Sequence, residues 1–290
     1  MWIRYLLASS TLLLALPSWA ACNASALNLD VVSQQQNYDI LTNGNYTLTN
    51  TYQLSTQFSG SGCTLVVMLE TEDGDRALKN TNNHGLKFDW YGRNGVQKAN
   101  QWHVTLNDDT PSVTFQLRYP SLQWLNSGRY QADIEASVVT GNLNNLANLA
   151  PRRLSLEVNV LPVTKIQFYG LAQSHYDLDM GTLYSNKVIR SAPKLWVRTN
   201  TGYTVTIESS HQGNLRHQSN NPQWDILYAL LFDDKQIDLR QSQAHIHRHS
   251  PTSGSSIPLQ FEIGATENKP GGEYSDTLQI SIEPQLSQSP

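Results

Sequence analysis

Apolar and polar residues alternate along most of this chain. Val113, Phe115 and Leu117 are separated by polar side chains, and a second run of the same period spans 203–207. A period of two places apolar side chains on one face of a β-strand, whereas a helix needs a period near 3.6. Clusters of Pro, Gly, Asn and Asp separate these runs about every ten residues, which is typical of β-sandwiches. The pattern therefore predicts an all-β protein.

The length and one repeated segment predict two immunoglobulin-like β-sandwich domains. The chain has 290 residues, which suits two such domains. Segments 127–134 and 271–278 each combine a glycine turn, a tyrosine, an aspartate and alternating apolar residues. The boundary is expected at 161–164, so we predict domains at 21–161 and 162–290.

The two halves differ after the repeated segment. In the first half another alternating strand comes next, at 154–160, whereas in the second a strand ends near 282 and a short proline-bounded stretch remains. A sandwich without its last strand exposes an apolar groove and an unpaired edge, which invites a strand from another molecule. The residues expected to line this groove are Ile166, Phe168, Leu278, Ile280 and Ile282.

The N-terminus predicts export. Arg4 precedes an apolar run at 5–17, and small residues stand where signal peptidase cleaves, so residues 1–20 are expected to be a signal peptide cleaved after Ala20. The run is too short to span a bilayer as a mature helix. A lipoprotein leader is the alternative, because Cys22 follows two alanines, although Trp19 stands where such leaders carry a branched aliphatic residue.

The two cysteines, Cys22 and Cys63, are predicted to form a disulfide. They stand roughly 40 positions apart, a spacing unlike that of metal ligands, and an exported protein meets oxidising conditions. The bond would tie the first strand of the mature protein to the strand at 63–69. Closing such a loop stabilises a fold by about 4 kcal/mol in the chain-entropy model.

Charge and motifs argue against several classes of function. The net charge is −4 and only 15% of residues are charged, so no nucleic-acid partner is expected. The chain has no Gly-x-Ser-x-Gly turn, no phosphate-cradling glycine loop and no His-Glu-x-x-His helix. The acidic pairs at 72–73, 108–109 and 233–234 stand in turn-like sequence, where aspartate satisfies the backbone. We predict neither an enzyme nor a cofactor.

Four motifs in the second half resemble those of the spore coat protein U domain, which builds the subunits of archaic, Csu-type chaperone-usher pili. They lie at 178–183, 197–205, 226–230 and 270–278, and the last is the most specific. The first half resembles a pilus domain more weakly, through its two cysteines and the element at 128–130. The second half departs from the family because it has no cysteine.

The resemblance implies the tip adhesin of a pilus. In that family an ordinary subunit carries an N-terminal donor segment that fills its neighbour's groove, whereas a tip subunit has an extra N-terminal domain and no donor. Here Cys22 comes almost directly after the expected cleavage site, and the strand at 152–160 would complete the first domain. The second domain would receive its last strand from a periplasmic chaperone and then from the neighbouring subunit. An outer-membrane usher is the third expected partner, and the expected location is the periplasm and then the cell-surface pilus.

A tip adhesin would bind a host or abiotic surface through loops of its first domain. The connection at 141–151 carries three leucines, either as an amphipathic turn that covers the core or as an exposed apolar patch. Aromatic residues at 90–102 would add contact area, with packing in the core as the alternative. The expected binding residues are Leu143, Leu146, Leu149, Trp90, Tyr91 and Trp102.

Three histidines, His245, His247 and His249, would share one face of a strand. Such a set suits a metal ion. The segment has no acidic neighbour to orient an imidazole ring. A solvated strand face is therefore preferred, and no metal site is predicted.

Two other functions fit an exported pair of sandwiches. A periplasmic pilus-assembly chaperone lends a strand and anchors its client's C-terminal carboxylate with basic residues, for which Arg152 and Arg153 are candidates. Both domains of a chaperone would be complete. A stand-alone secreted carbohydrate-binding protein would be a stable monomer.

Overall fold

The computed structural model describes residues 21–285, and this part of the chain is built almost entirely from β-strands. The predicted all-β class is therefore confirmed. The helical turns described are two 3-10 turns, Leu146–Asn148 and Pro222–Trp224. Across residues 21–285 no helix is long and apolar enough to cross a membrane. The predicted signal peptide lies outside the described residues.

We call residues 21–161 the first unit. Its strands are β1 (Asn23–Ala24), β2 (Asn28–Ser33), β3 (Asn37–Tyr38), β4 (Tyr46–Ser55), β5 (Phe58–Ser59), β6 (Thr64–Thr71), β7 (Ala77–Lys79), β8 (Gly85–Lys87), β9 (Asp89–Gly92), β10 (Gly95–Lys98), β11 (Gln101–Asn107), β12 (Ser112–Pro120), β13 (Gly128–Gly141) and β14 (Arg152–Val160). One sheet has the order β10-β11-β6-β13-β14-β3, with β7 and β8 attached, and a second has the order β2-β4-β12-β9. Strands β1 and β5 form a separate pair.

The core of the first unit results from the alternation in its strands. In β4 and β6 every second side chain is buried, and the side chains between them are only partly buried. Tyr52 of β4 and Phe115 of β12 stack in this core with ring centroids 5.5 Å apart. The predicted disulfide is confirmed, because Cys22 and Cys63 are bonded across a Cα separation of 5.6 Å.

We call residues 162–285 the second unit. Its strands are β15 (Thr164–Phe168), β16 (Val188–Ile189), β17 (Leu195–Thr199), β18 (Tyr203–Ser209), β19 (Asn214–His217), β20 (Ile226–Phe232), β21 (Lys235–Ile237), β22 (Ala244–Arg248), β23 (Thr252–Ile257), β24 (Leu259–Ile263), β25 (Tyr274–Ser275) and β26 (Leu278–Pro284). Its sheets have the orders β15-β17-β23, β22-β18-β26 and β16-β24-β20-β19-β25, and β21 pairs with β20. The buried residues of this unit form a core of their own.

The repeated segment forms the same corner in both units. The hydroxyl of Tyr130 donates a hydrogen bond to the carbonyl of Asn126 at 3.0 Å, four residues upstream. The hydroxyl of Tyr274 donates to the carbonyl of Pro270 at 2.8 Å, also four residues upstream. Such tyrosine corners occur at the start of the same late strand in immunoglobulin-like sandwiches. β13, which contains Tyr130 near its start, is therefore equivalent to β25 and β26.

Candidate functional site

In the first unit β14 pairs with β13, the strand that contains the tyrosine-corner residue Tyr130. Strands β13 and β14 pair from Gly128 and Val160 to Ala136 and Arg152. Leu156, Val158 and Val160 of β14 are between 0% and 2% exposed. β14 is thus an inner strand of the larger sheet, paired with β13 on one side and β3 on the other, and its buried side chains close the core of the first unit.

In the second unit the equivalent strand has one free edge. β26 pairs with β18 from Leu278 to Pro284, and within residues 21–285 no strand pairs with its other edge. β15 likewise pairs with β17 and leaves its other edge without a partner in the described chain. These two edges flank the position that β14 occupies in the first unit.

Apolar side chains lie between the two free edges. β15 carries Ile166 and Phe168, and β26 carries Leu278, Ile280 and Ile282. All five are only partly buried and pack against the core of the second unit. In the first unit, by contrast, Tyr130 and Ile134 of β13 are fully buried, and β13 is paired along its edge with β14. Cα atoms of β15 and β26 approach within 8 Å of each other. Two strands with a third strand between them are about 10 Å apart. Insertion of a strand would therefore require β15 and β26 to move apart.

A buried carboxylate fixes the chain between β25 and β26. The side chain of Asp276 is 3% exposed. Its oxygens accept hydrogen bonds from the hydroxyls of Ser209 and Tyr228, both at 2.6 Å, and from the backbone amides of His211 and Thr277 at 3.0 and 2.8 Å. Burial, and then the hydrogen bond to Asp276, raise the pKa of the Tyr228 phenol. The carboxylate thus anchors β26 to the strands behind it.

This cluster brings a serine, a histidine and an aspartate together without the geometry of a nucleophilic site. The Ser209 hydroxyl donates to Asp276 and not to the His211 ring, so the three groups are not linked in the serine–histidine–aspartate order of a catalytic triad. The His211 Nδ1 atom lies 3.1 Å from the same carboxylate. The arrangement is suited to holding a turn in place.

The three leucines of the 141–151 connection lie mainly against the core. Leu143 is 8% exposed, and Leu146 and Leu149 are partly buried against the same cluster. The exposed-patch interpretation therefore does not fit Leu143, and the amphipathic turn that covers the core does. The physical reason is the anchoring of the loop by its asparagines. Asn145 bonds both the amide and the carbonyl of Ala24, at 3.0 and 2.6 Å.

Of the three aromatic residues expected to bind a surface, only Tyr91 is exposed. Trp90 and Trp102 are 5% and 7% exposed, so their ring faces are not available and the core interpretation fits both. Trp90 precedes Tyr91 on β9, and successive side chains of a strand point to opposite faces. The alternation of the strand is therefore the sequence signal that indicates that Trp90 and Tyr91 cannot both be exposed. Tyr91 is 50% exposed, and the Arg118 guanidinium lies 3.2 Å from its ring centre.

The histidines lie at the exposed surface of the second unit. His245 and His247 are on β22, and their Nδ1 atoms lie 3.1 and 2.9 Å from the hydroxyls of Thr206 and Thr204. His249 lies just past the end of the strand. Within the described chain no three His, Cys, Asp or Glu side chains are grouped so that they could hold a metal ion.

No family model matches this chain, and no curated protein matches it. Membership of the spore coat protein U family therefore remains a prediction.

Several solved structures match this chain at low similarity. One is the complex of the CsuC chaperone and the CsuE tip adhesion subunit from the archaic chaperone-usher Csu pili of Acinetobacter baumannii, with 18% identity, 91% of this chain and 100% of that chain covered, and a TM-score of 0.41. Another is the CupB6 tip adhesin from Pseudomonas aeruginosa, with 9% identity, 91% and 94% covered, and a TM-score of 0.43. A chaperone-tip adhesin complex of CFA/I fimbriae has 13% identity, 93% and 92% covered, and a TM-score of 0.35. At these identities and scores they do not establish the family of this chain.

Proposed function

We propose that this chain is the adhesive tip subunit of a chaperone-usher pilus and that its second unit accepts a β-strand from another protein. The observation that carries the proposal is the pair of free edges on β15 and β26, with partly buried apolar side chains between them. The first unit has its own strand, β14, in the equivalent place.

The chemistry of the free edges specifies the strand that fits. An unpaired edge offers a row of backbone N–H and C=O groups, and an added strand satisfies them. Side chains two residues apart on that strand would point toward Ile166, Ile280 and Ile282. Burying an exposed Leu, Ile or Phe fully is worth about 1.5–3 kcal/mol, so completing the burial of several such residues stabilises the second unit substantially. A periplasmic chaperone would supply the strand first, and the neighbouring subunit would replace it.

The first unit would then bind a host or abiotic surface. Because its core is closed, it needs no partner to fold, and its loops remain free for contact. Of the residues predicted to bind, Tyr91 is exposed, and Leu146 and Leu149 are partly so. Tyr91, Leu146 and Leu149 are therefore the proposed contact residues.

In the chaperone alternative the two candidate anchors are Arg152 and Arg153, and both make contacts within the chain. The Nε atom of Arg152 donates to the carbonyl of Leu27 at 2.8 Å. Arg153 pairs with Glu135 at 2.7 Å. Both candidate anchors for a client carboxylate therefore have partners within the chain.

The test is to supply the strand. The protein would be produced with and without a C-terminal extension, made of a flexible linker and a strand of alternating apolar residues, and thermal unfolding and monomer yield would be compared. We expect the extension to raise the melting temperature of the second unit and to increase the yield of monomer. A matched extension with the same composition in scrambled order should do neither.

Two substitutions test whether the stabilisation by the extension depends on the apolar residues between β15 and β26. Ile280→Asp should abolish the gain from the extension, because it places a charge among the apolar side chains between β15 and β26. Leu227→Asp is the control, since Leu227 is 52% exposed on β20, away from those edges. A chain that is a stable monomer without the extension and gains nothing from it would refute the proposal.

A further inference from the structure

A stripe of aromatic and basic side chains crosses the outer face of the β15-β17-β23 sheet. On β17, Leu195, Val197 and Thr199 are buried in the second unit, so Trp196 and Arg198 point outward. The stripe is formed by Tyr169, Trp196, Arg198 and Trp124, and we call it the aromatic-basic stripe. The negative net charge had given no reason to expect such a surface.

The members of the stripe adjoin one another in space. The rings of Tyr169 and Trp196 have centroids 5.4 Å apart. Trp196 and Arg198 are two residues apart on one strand, a separation of about 6.6 Å. The Arg198 guanidinium carbon lies 5.0 Å from the centre of the Trp124 ring. The four side chains therefore form a continuous track that ends on the first unit.

A glycine holds the central ring against the sheet. A Cβ atom on Gly254 would collide with the six-membered ring of Trp196, so the indole covers this glycine on β23. Glycine is the residue that permits such a close approach. On the other side of β17, the residue paired with Trp196 is Gln167 of β15, which is exposed. The Trp196 ring thus lies over Gly254, with the exposed Gln167 beside it.

The cations of this face have no acidic partner within residues 21–285. Among the ion pairs formed within residues 21–285, none uses Lys165 or Arg198, which are opposite each other on β15 and β17. The Nε atom of Arg198 is buried without a hydrogen-bond partner in the described structure. Elsewhere in the second unit Arg216 and Arg248 each pair with an aspartate at 2.7 Å.

We infer that the aromatic-basic stripe binds a linear anionic polysaccharide. Sugar rings have apolar faces that pack on aromatic side chains. Their carboxylates pair with ammonium and guanidinium groups, and Arg presents a planar fork that matches a carboxylate. A polymer of uronic acids offers both features in repeat, which suits three aromatic rings in a row with Arg198 among them and Lys165 beside it. Two cations on a chain of net charge −4 are too few for a nucleic-acid site, which depends on many phosphate contacts.

This site is separate from the free edges of β15 and β26. On β15, Ile166 and Phe168 point toward the core, whereas Lys165 and Gln167 point outward. A donor strand would therefore pair with the free edge of β15, whereas the polysaccharide would lie on its outward face. The inference stands whether or not the second unit accepts a strand.

Binding would be measured by isothermal titration calorimetry on the purified full-length chain. The probes are an oligogalacturonate and its methyl ester, which has the same sugar backbone without charge. We expect the oligogalacturonate to bind, the methyl ester to bind more weakly, and the affinity to fall as salt is raised, because salt screens exposed charges. Lys165→Gln should weaken the binding of the charged probe and leave that of the methyl ester unchanged.

Tyr169→Ala tests the aromatic part of the stripe. Loss of one stacked ring should weaken binding by about 3- to 10-fold. Tyr169 is 57% exposed, so its truncation should leave the melting temperature unchanged. Tyr184→Ala is the matched control, since Tyr184 is 59% exposed and lies 5.4 Å from the Lys187 ammonium, outside the stripe. The inference is overturned if the oligogalacturonate does not bind, if the methyl ester binds equally well, or if Tyr169→Ala and Tyr184→Ala behave alike.

Discussion

The side-chain carbonyl of Asn200 accepts a hydrogen bond from the backbone amide of Val163 at 2.8 Å, and the Asn200 backbone amide donates to the Val163 carbonyl at 3.3 Å. The same side chain donates to the carbonyl of Leu161 at 2.9 Å. The Asn200 carbonyl accepts from the amide of Ser127 at 3.0 Å. One residue, 1% exposed, therefore binds the linker to the second unit and touches the first. These bonds favour a fixed joint over a free hinge.

Asn200→Ala should loosen this joint. The substitution leaves the Leu161 carbonyl and the Val163 amide without their partner, which should cost about 1–3 kcal/mol of unfolding free energy. The two units should then reorient more independently, which NMR relaxation would detect as diverging rotational correlation times. Asn144→Ala is the control, because Asn144 lies in an exposed loop of the first unit. Unchanged joint tumbling in Asn200→Ala would show that other contacts fix the angle between the units.

Asp276→Asn should destabilise the second unit. The carboxylate accepts hydrogen bonds from two hydroxyls and two backbone amides. An amide group places two N–H donors where one of the acceptor oxygens stood. Loss of hydrogen bonds to a charged, buried group should lower the free energy of unfolding by about 1.5–3 kcal/mol. Urea unfolding followed by circular dichroism would measure the change.

Asp133→Asn is the matched control for that substitution. Asp133 stands in the first copy of the repeated segment, and the Ser155 hydroxyl donates to it at 2.6 Å in an exposed setting. We expect a loss of less than about 0.5 kcal/mol, as is usual for surface substitutions. Equal losses at the two positions would mean that the buried network around Asp276 contributes no special stability.

This pair of aspartates also shows how far the sequence predicts the structure. Alternation predicts the strands, and the shared Gly-Tyr-Asp pattern predicts that the two segments form the same element. The aspartate is three residues after Tyr130 but two after Tyr274, and an offset of one residue moves a side chain to the other face of a strand. The pattern alone therefore gave no sign that Asp276 is buried and Asp133 is not. The burial of Asp276 depends on Ser209 and Tyr228, which come from distant strands.

Only part of the candidate site could be predicted from the sequence. Alternation predicts that the apolar residues of β15 and β26 share one face of each strand, and these are the residues expected to line the groove. The partial burial of the 141–151 leucines depends on asparagine side chains that bond to distant backbone groups. The aromatic-basic stripe joins Trp124 to Arg198 across the two units, and no local pattern encodes such a contact.

Removing the disulfide should destabilise the first unit. Cys22 and Cys63 close a loop with a sequence separation of 41. In the chain-entropy model, loss of such a cross-link lowers the free energy of unfolding by about 4 kcal/mol. The carbonyl of Cys22 also accepts a hydrogen bond from the amide of Asn144 at 2.8 Å, so the 141–151 connection should loosen as well.

The double variant Cys22→Ser, Cys63→Ser would be compared with the parent by scanning calorimetry. We expect the transition of the first unit to move to lower temperature and that of the second unit to stay in place, because the second unit has no cysteine. Treatment of the parent with a reductant should reproduce the shift. A lower transition temperature in the second unit alone would contradict the prediction that the disulfide stabilises the first unit.

The first unit should lose stability at alkaline pH because of its buried tyrosines. Burial raises the pKa of Tyr52 and of Tyr130 to about 12 in each case, from an ordinary value of 10.0, and both side chains are 0% exposed. Below pH 10 both phenols are neutral in the folded and the unfolded chain, so their contribution is constant. Above it the unfolded chain loses protons that the folded chain keeps, and stability falls until the folded pKa is passed.

For each tyrosine the loss amounts to about 2–3 kcal/mol once the pH has risen past the folded pKa. Urea unfolding at several pH values between about 9 and 12 would measure the slope, and absorbance at the phenolate band would show when the tyrosines ionise. Tyr130→Phe should reduce the pH dependence without abolishing it, because burial also raises the pKa of Tyr38, Tyr52 and Tyr119 in this unit. It should also cost about 1 kcal/mol near neutral pH, because the hydrogen bond to Asn126 is lost. If the first unit unfolds with the same free energy across this range, or if Tyr130→Phe leaves the slope unchanged, these phenols do not govern its alkaline stability.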